Sequence, residues 1–361
     1  MIDSAKGGPG GKGAGRLRAI GSLFQEKIGW HRIGFVASLS IIAVAAWVLY
    51  EILHDIEVAE IIEAIKATKF YNILLAGLFV AAGYFTLTFY DLFALRTIGR
   101  RDVPYRVAAL GGFTSYSIGH NVGASVFTGG AVRYRIYSAW GLDAVDVAKI
   151  CFVAGLTFWL GNATVLGIGI TYAPEAASLI NQLPPWVNRG FAIIILMILA
   201  SYIVWVSQRP RMIGRSQWQI TLPGGPLTVL QIVIGIIDLG CCALAMYMLV
   251  PDEPHIGFIT VAVIFVAATL LGFASHSPGG LGVFDAAMLV ALWQFDKEDL
   301  LAGLLLFRLL YYITPFALSL AILGTRELIL SLFPARPPPL VVSPEIKAPE
   351  IDIPKQKLDV G

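Results

Sequence analysis

Charge is scarce in this sequence: Asp, Glu, Lys and Arg together make up 14% of its 361 residues. A soluble domain carries about a quarter, so a surface facing water on all sides is excluded. The net charge of +2 comes with no clustered basic face on a folded domain, which argues against a nucleic-acid partner. Cysteine is nearly absent too. Cys151, Cys241 and Cys242 all lie in apolar runs, without the spacing of a disulfide framework or a metal site; they read as small packing side chains. Catalytic signatures are missing: no phosphate-cradling G-x-x-x-x-G-K-[ST], no H-E-x-x-H and no nucleophile elbow. Gly8-Pro9-Gly10-Gly11-Lys12 has no strand before it. No cofactor, metal or catalytic residue is expected.

What is abundant is apolar length. Hydrophobic residues are 57% of the chain, and about 20 in a row cross the hydrocarbon core as a helix. Seven stretches meet or approach that, at 33–53, 71–92, 150–172, 190–207, 227–250, 256–274 and 300–323. Two more, 107–130 and 276–295, are apolar but broken by glycine and polar residues. The fold class expected is an all-α polytopic membrane protein, with about eight crossings plus a Gly-rich re-entrant hairpin. Residues 1–32 read as a basic flexible extension, 33–326 as the membrane domain and 327–361 as a Pro-rich disordered tail. The first run contains Ala43-Val44-Ala45 but continues long enough to span, and so reads as a retained anchor.

Lys and Arg mark the cytoplasmic side. Lys6, Lys12, Arg16, Arg18, Lys27 and Arg32 precede the first run, and mostly acidic residues follow it, placing the N-terminus in the cytoplasm. Arg96, Arg100, Arg101 and Arg106 mark a second cytoplasmic loop, and Arg133, Arg135 and Lys149 share its side. Segment 107–130 must then enter and leave by one face. Val58, Ile61, Ile62 and Ile65 oppose Glu57, Glu60 and Glu63 on a helix, a pattern that fits either the membrane interface or packing under the loop.

Irregular backbone at membrane depth is tolerated only where protein buries it or it lines a watery cavity. Thr128-Gly129-Gly130 and Pro278-Gly279-Gly280 each interrupt an apolar stretch and lead into a full span. Paired interruptions of this kind point to a transporter's binding site and to an internal repeat, although so short an echo also arises by chance. Ionisable residues inside spans are costly and are functional candidates by default: Arg308 in LLLFRLLYYI, Asp285 in GLGVFDAAML and Asp238 in IGIIDLGCCA. His120, with Asn121 beside it, and His276 flank the glycines. Arg308 serves either as a ligand anchor or as the structural partner of Asp285 or Asp238. Arg133 and Arg135 are either part of the site or loop charges, and the histidines either ligand groups or packing residues. Tyr134, Tyr137, Trp159, Tyr311 and Tyr312 read as belt aromatics.

The stretch Tyr90–Leu142, YDLFALRTIGRRDVPYRVAALGGFTSYSIGHNVGASVFTGGAVRYRIYSAWGL, resembles the transmembrane region of the lysylphosphatidylglycerol synthase family. HSPGGLGVFDAAMLVAL from His276 and FRLLYYITPF from Phe307 match its second half. The resemblance covers roughly residues 30–330 and implies a bacterial inner-membrane protein that moves or handles lipids, typically phosphatidylglycerol carrying an amino acid. Bifunctional members add a cytoplasmic aminoacyl-transferase domain, which the short tail is expected not to hold. The leading expectation is therefore a lipid translocase rather than an enzyme. In it Arg308, Arg133 and Arg135 would hold a phosphate, since a guanidinium fork suits that group, and Asp285 and Asp238 would face an amine or carry protons. A membrane-embedded transferase and a non-catalytic accessory protein of lipid synthesis stand as alternatives. Partners would be a polar lipid and either a second copy or a lipid-synthesis enzyme.

Overall fold

The computed structural model describes residues 68–332 except Ala124, Ser216, Gln217, His276 and Ser277, together with Ala59, Ile62, Glu63 and Lys66. The expected first span at 33–53 and most of the amphipathic segment lie outside these residues, as do the N-terminal extension and the tail beyond Leu332.

Five described helices are long and apolar enough to cross a membrane. They are α1 (Phe70–Thr97), α4 (Ala144–Tyr172), α6 (Pro185–Gln208), α7 (Gly225–Tyr247) and the continuous run Lys297–Leu332. That run comprises α10 (Lys297–Phe307), a π-helical turn over Arg308–Ile313 and α11 (Thr314–Leu332). The remaining helices are α2 (Tyr105–Val122), α3 (Ser125–Tyr137), α5 (Pro174–Asn181), α8 (Phe258–Ala274) and α9 (Val283–Ala291). Among the described residues the fold is thus all-α apart from one antiparallel hairpin, β1 (Met212–Arg215) with β2 (Trp218–Thr221), pairing Met212 with Thr221 and Arg215 with Trp218. The membrane-domain boundary expected at residue 326 falls inside α11.

Helices α1, α4 and α7 form the centre. Glycine lets α4 and α7 approach closely: a Cβ at Gly161 would lie 2.8 Å from the Gly235 Cα. Small residues at helix crossings serve this purpose in membranes, where apolar burial alone does not drive association. At the same crossing the Gln231 amide donates to the Thr157 hydroxyl at 2.8 Å. Only 17% of the most apolar stretch of α6 is buried, so that helix turns most of its surface outward from the bundle.

Helices α2 and α3 form the first hairpin, broken at Gly123, whose φ of 81° suits glycine. Its two ends share one end of the bundle. Arg100, just before α2, donates to the Trp140 and Gly141 carbonyls just after α3, and lies 3.7 Å from Asp146 at the start of α4. Segment 107–130 thus forms a hairpin rather than one continuous helix.

The stretch 276–295 departs from expectation. Pro278–Gly280 forms a 3₁₀ turn, and Gly279, Gly280 and Gly282 have φ of 60°, 64° and 78°. The helix that follows, α9, has nine residues and rises about 14 Å, less than half the hydrocarbon thickness of about 30 Å. It turns back on α8 as the second arm of another hairpin, and α8 itself has 17 residues. Helix α5, which follows the far end of α4, packs against both α8 and α9. The open end of this hairpin therefore lies opposite the Arg100 end. Lys69, at the start of α1, pairs there with Asp252 at 2.6 Å. The two hairpins enter from opposite ends, and α2 meets the Pro278–Gly280 turn in the middle.

Candidate functional site

Where the hairpin tips meet, a cavity of about 170 Å³ opens between them and α7. Gly119, His120 and Gly123 of the first hairpin, Gly279 and Gly280 of the second, and Asp238 of α7 line it. The interruptions read from sequence do converge, but not as equivalent positions. Gly279 and Gly280 form the second tip, whereas Gly129 and Gly130 lie within α3, where a Cβ at Gly129 would sit 3.1 Å from the Ser115 carbonyl oxygen. The first tip is set instead by Gly123.

Asp238 is 4% exposed. Its Oδ2 accepts a hydrogen bond from the Tyr90 hydroxyl at 3.0 Å, while Oδ1 is buried with no partner. No cation pairs with it among the described residues, so the cavity holds one carboxyl group with an unused acceptor.

The two buried arginines are already engaged. Arg308 donates from Nε to Asp285 Oδ1 at 3.0 Å, forms a second short bond through Nη2 to Oδ2, and reaches the Gly279 carbonyl at 3.4 Å. This bidentate pair ties the second hairpin to the π-helical turn. Asp285 also accepts from the Gly282 amide at 3.1 Å, capping α9. Of the alternatives open for Arg308, the geometry gives it the Asp285 partner, directly behind a cavity-lining glycine.

Arg133 is not a loop charge. It is 5% exposed and pairs with Asp91 of α1 through Nε at 3.0 and 3.1 Å and Nη2 at 2.7 Å. The Tyr137 hydroxyl donates to Asp91 at 2.6 Å, and the Arg133 guanidinium stands 4.8 Å from the Tyr116 ring centroid. Asp91 lies at the end of the apolar stretch 71–92 and is not among the candidates read from sequence. The rule that marked Asp238, a carboxylate inside an apolar run, applies to Asp91 equally.

The other candidates scatter. His120 lies between the rings of Tyr116 and Tyr311, at 5.6 and 6.3 Å. Asn121 donates to the Ser117 and Tyr312 carbonyls at 2.8 and 3.2 Å, and its Oδ1 is buried without a partner. Arg135 lies away from the cavity, bonded to Glu327 at 2.6 Å, which also meets Arg326 at 2.9 Å. His276 falls outside the described residues. Of the expected belt aromatics, Tyr134 and Trp159 are exposed, but Tyr137 and Tyr311 are buried and Tyr312 lines the cavity. Among the described residues no group of three or more His, Cys, Asp or Glu is placed to hold a metal ion.

This site combines a carboxyl group with spare acceptor capacity, hydroxyl and imidazole groups, and aromatic faces, with two arginine–carboxylate pairs beside it. Such an arrangement suits a polar group that donates hydrogen bonds or carries positive charge.

Comparison with known proteins agrees with the features carried by Tyr90–Leu142 and the later segments. Residues 35–319 match the family model described as the lysylphosphatidylglycerol synthase TM region. An uncharacterised protein of Synechocystis sp. is 30% identical over 71% of this chain and 80% of its own length. The inner membrane protein YbhN of Escherichia coli is 26% identical over 72% of this chain and 82% of its own. A phosphatidylglycerol lysyltransferase of Staphylococcus haemolyticus is 27% identical over 81% of this chain, which spans about a third, 33%, of that relative. With most of its length matched, this multi-pass membrane protein belongs to the lysylphosphatidylglycerol synthase transmembrane-region family.

Proposed function

We propose that this protein is an inner-membrane lipid translocase, and that the cavity between the two hairpin tips receives the polar head group of the lipid it moves. The observation that carries this reading is the convergence of two broken hairpins, from opposite ends of the bundle, on one cavity that holds a buried carboxyl group. Transporters built from inverted repeats hold their substrates at such a midpoint. An inner-membrane location follows the relative from Escherichia coli, and a lipid cargo follows the lysyltransferase relatives.

With the span expected at 33–53, which lies outside the described residues, the chain then crosses six times, with one re-entrant hairpin from each face. Two fewer crossings than the sequence suggests leave both termini cytoplasmic, because the parity is unchanged.

Charge selects the head group. Arg133 and Arg308 are each matched by a carboxylate, so a lipid phosphate would have to displace Asp91 or Asp285 to reach them. Asp238 has an acceptor to spare. An aminoacylated head group, with an amine that donates to Asp238 and aromatic faces to cover its charge, fits better than a bare phosphate.

Vesicles containing the purified protein and a fluorescent phosphatidylglycerol, with or without an esterified lysine, test this directly. A membrane-impermeant quencher added outside should reach nearly all of the lysylated lipid and about half of the unmodified one. Quenching of both lipids at the level of protein-free vesicles would reject the reading.

A further inference from the structure

A cavity of about 170 Å³ lies below the range of about 300–1,000 Å³ of sites that take a whole drug-sized ligand. It is too small for a whole lipid. If the head group enters there, as the proposed function requires, its chains must lie elsewhere and be continuous with it. A second hollow answers that need. It is a groove of about 790 Å³ between α3 and α4, within the size range of sites that take a whole drug-sized ligand. Val126 and Phe127, at the start of α3, line both spaces.

Both hollows are largely apolar, but the cavity carries Asp238, His120, Ser125 and Thr269 whereas the groove carries no ionisable group apart from Tyr134 and Cys151. Gly130, Val147, Cys151, Phe152 and Gly155 form its sides, with no unpaired charge among them. Its wall continues into the cavity's aromatic wall: the ring of Trp159, a groove residue, lies 5.6 Å from that of Phe158, a cavity residue. Phe127 is 81% exposed and Val126 63%, so the junction opens at the outer surface of the bundle. In a bilayer that surface meets hydrocarbon, and the only ligand chemistry that matches an apolar groove there is a hydrocarbon chain.

We infer that the α3–α4 groove is the acyl-chain subsite of the transported lipid, which enters sideways past Val126 and Phe127 with its head group turned into the cavity. The chain thus stays in an apolar environment while the head group meets the cavity's few hydrogen-bonding groups, Asp238 foremost, which offsets part of its desolvation.

Gly155 supplies the test. A Cβ there meets nothing within 4 Å, so Gly155→Phe fills groove space without striking the backbone, and Gly155→Ala controls for the loss of glycine. The full chain is placed in vesicles, and lysylated phosphatidylglycerol with a diazirine midway along one acyl chain is added afterwards, so labelling requires exchange. Photolabelled residues are mapped by mass spectrometry and normalised to labelling of the outward-facing helix α6. The expected result is labelling within 126–134 and 147–159 that exceeds the α6 level several-fold. It should fall at least fivefold in Gly155→Phe and hold in Gly155→Ala. Labelling of the groove no stronger than that of α6, or unchanged in Gly155→Phe, overturns the inference. Translocation in the same vesicles keeps the two claims apart. A labelled groove without translocation sinks the proposed function and leaves the subsite, whereas translocation with an unlabelled groove does the reverse.

Discussion

Tyr90 and Asp238, 148 residues apart, meet through a 3.0 Å hydrogen bond that joins α1 to α7 beside the cavity. The phenol satisfies one oxygen of a carboxyl group whose other oxygen has no partner. Burying a polar group unpaired costs free energy, so the arrangement is poised to gain by accepting a donor from a ligand.

Asp238→Asn removes the negative charge and retains an oxygen that accepts from Tyr90. The variant should fold and insert as the parent does. Translocation of a lysylated lipid should fall about tenfold or more, since a hydrogen bond to a charged group is worth roughly 1.5–3 kcal/mol. Parallel vesicle assays with lysylated and uncharged head groups check this; an equal fall for both would remove Asp238 from head-group recognition.

The Arg133–Asp91 pair should behave as a structural clamp. Removing one partner of a buried pair strands the other charge at a cost of about 3–5 kcal/mol. Asp91→Ala should therefore lower the melting temperature in detergent sharply. Replacing both, as Asp91→Leu with Arg133→Met, should recover most of the loss, because no charge is left unpaired. A double variant no more stable than Asp91→Ala would show that the pair does more than neutralise itself.

Sequence alone made the membrane class and the long apolar helices legible, because apolar length follows directly from the bilayer. It missed the second hairpin for a physical reason. HSPGGLGVFDAAMLVALWQF is apolar enough to cross, and hydropathy does not register that three positive-φ glycines shorten the helix behind them. Asp285 and Arg308 are 23 residues apart and their pairing was among the alternatives. The partner of Arg133 could not be read from spacing, since Asp91 lies 42 residues away on another helix. Tyr311 and Tyr137 read as belt residues because sequence does not tell which face of a helix meets lipid.

The α4–α7 crossing should be intolerant of side chains. A Cβ at Gly235 would lie 2.7 Å from the Gly161 Cα and 3.1 Å from the Thr157 carbonyl, both backbone atoms that cannot swing aside. Gly235→Val should destabilise by about 1–3 kcal/mol or more through overpacking, whereas Gly240→Ala on the same helix, with nothing within 4 Å of its Cβ, should be nearly silent. Thermal unfolding of the two variants in one detergent compares them.

Crossing number separates the two topologies most sharply at Leu281. With eight crossings, residues 275–282 form a cytoplasmic loop between two spans, open to water. With two re-entrant hairpins, Pro278–Gly280 forms a tip at mid-depth, against α2 and the cavity. Leu281 is 40% exposed, so a cysteine there fits and is not shielded by its own neighbours. In a background with the three native cysteines replaced by alanine, Leu281→Cys should resist a bulky, membrane-impermeant maleimide applied from either face. Glu253→Cys and Glu298→Cys flank the second hairpin, and both should react from the face opposite the one that labels Arg101→Cys. Six crossings require the pair to share a side; eight require it too, so the tip decides. Rapid labelling of Leu281→Cys from the cytoplasmic face alone would restore 276–295 as a span and dissolve the inverted pairing of the hairpins.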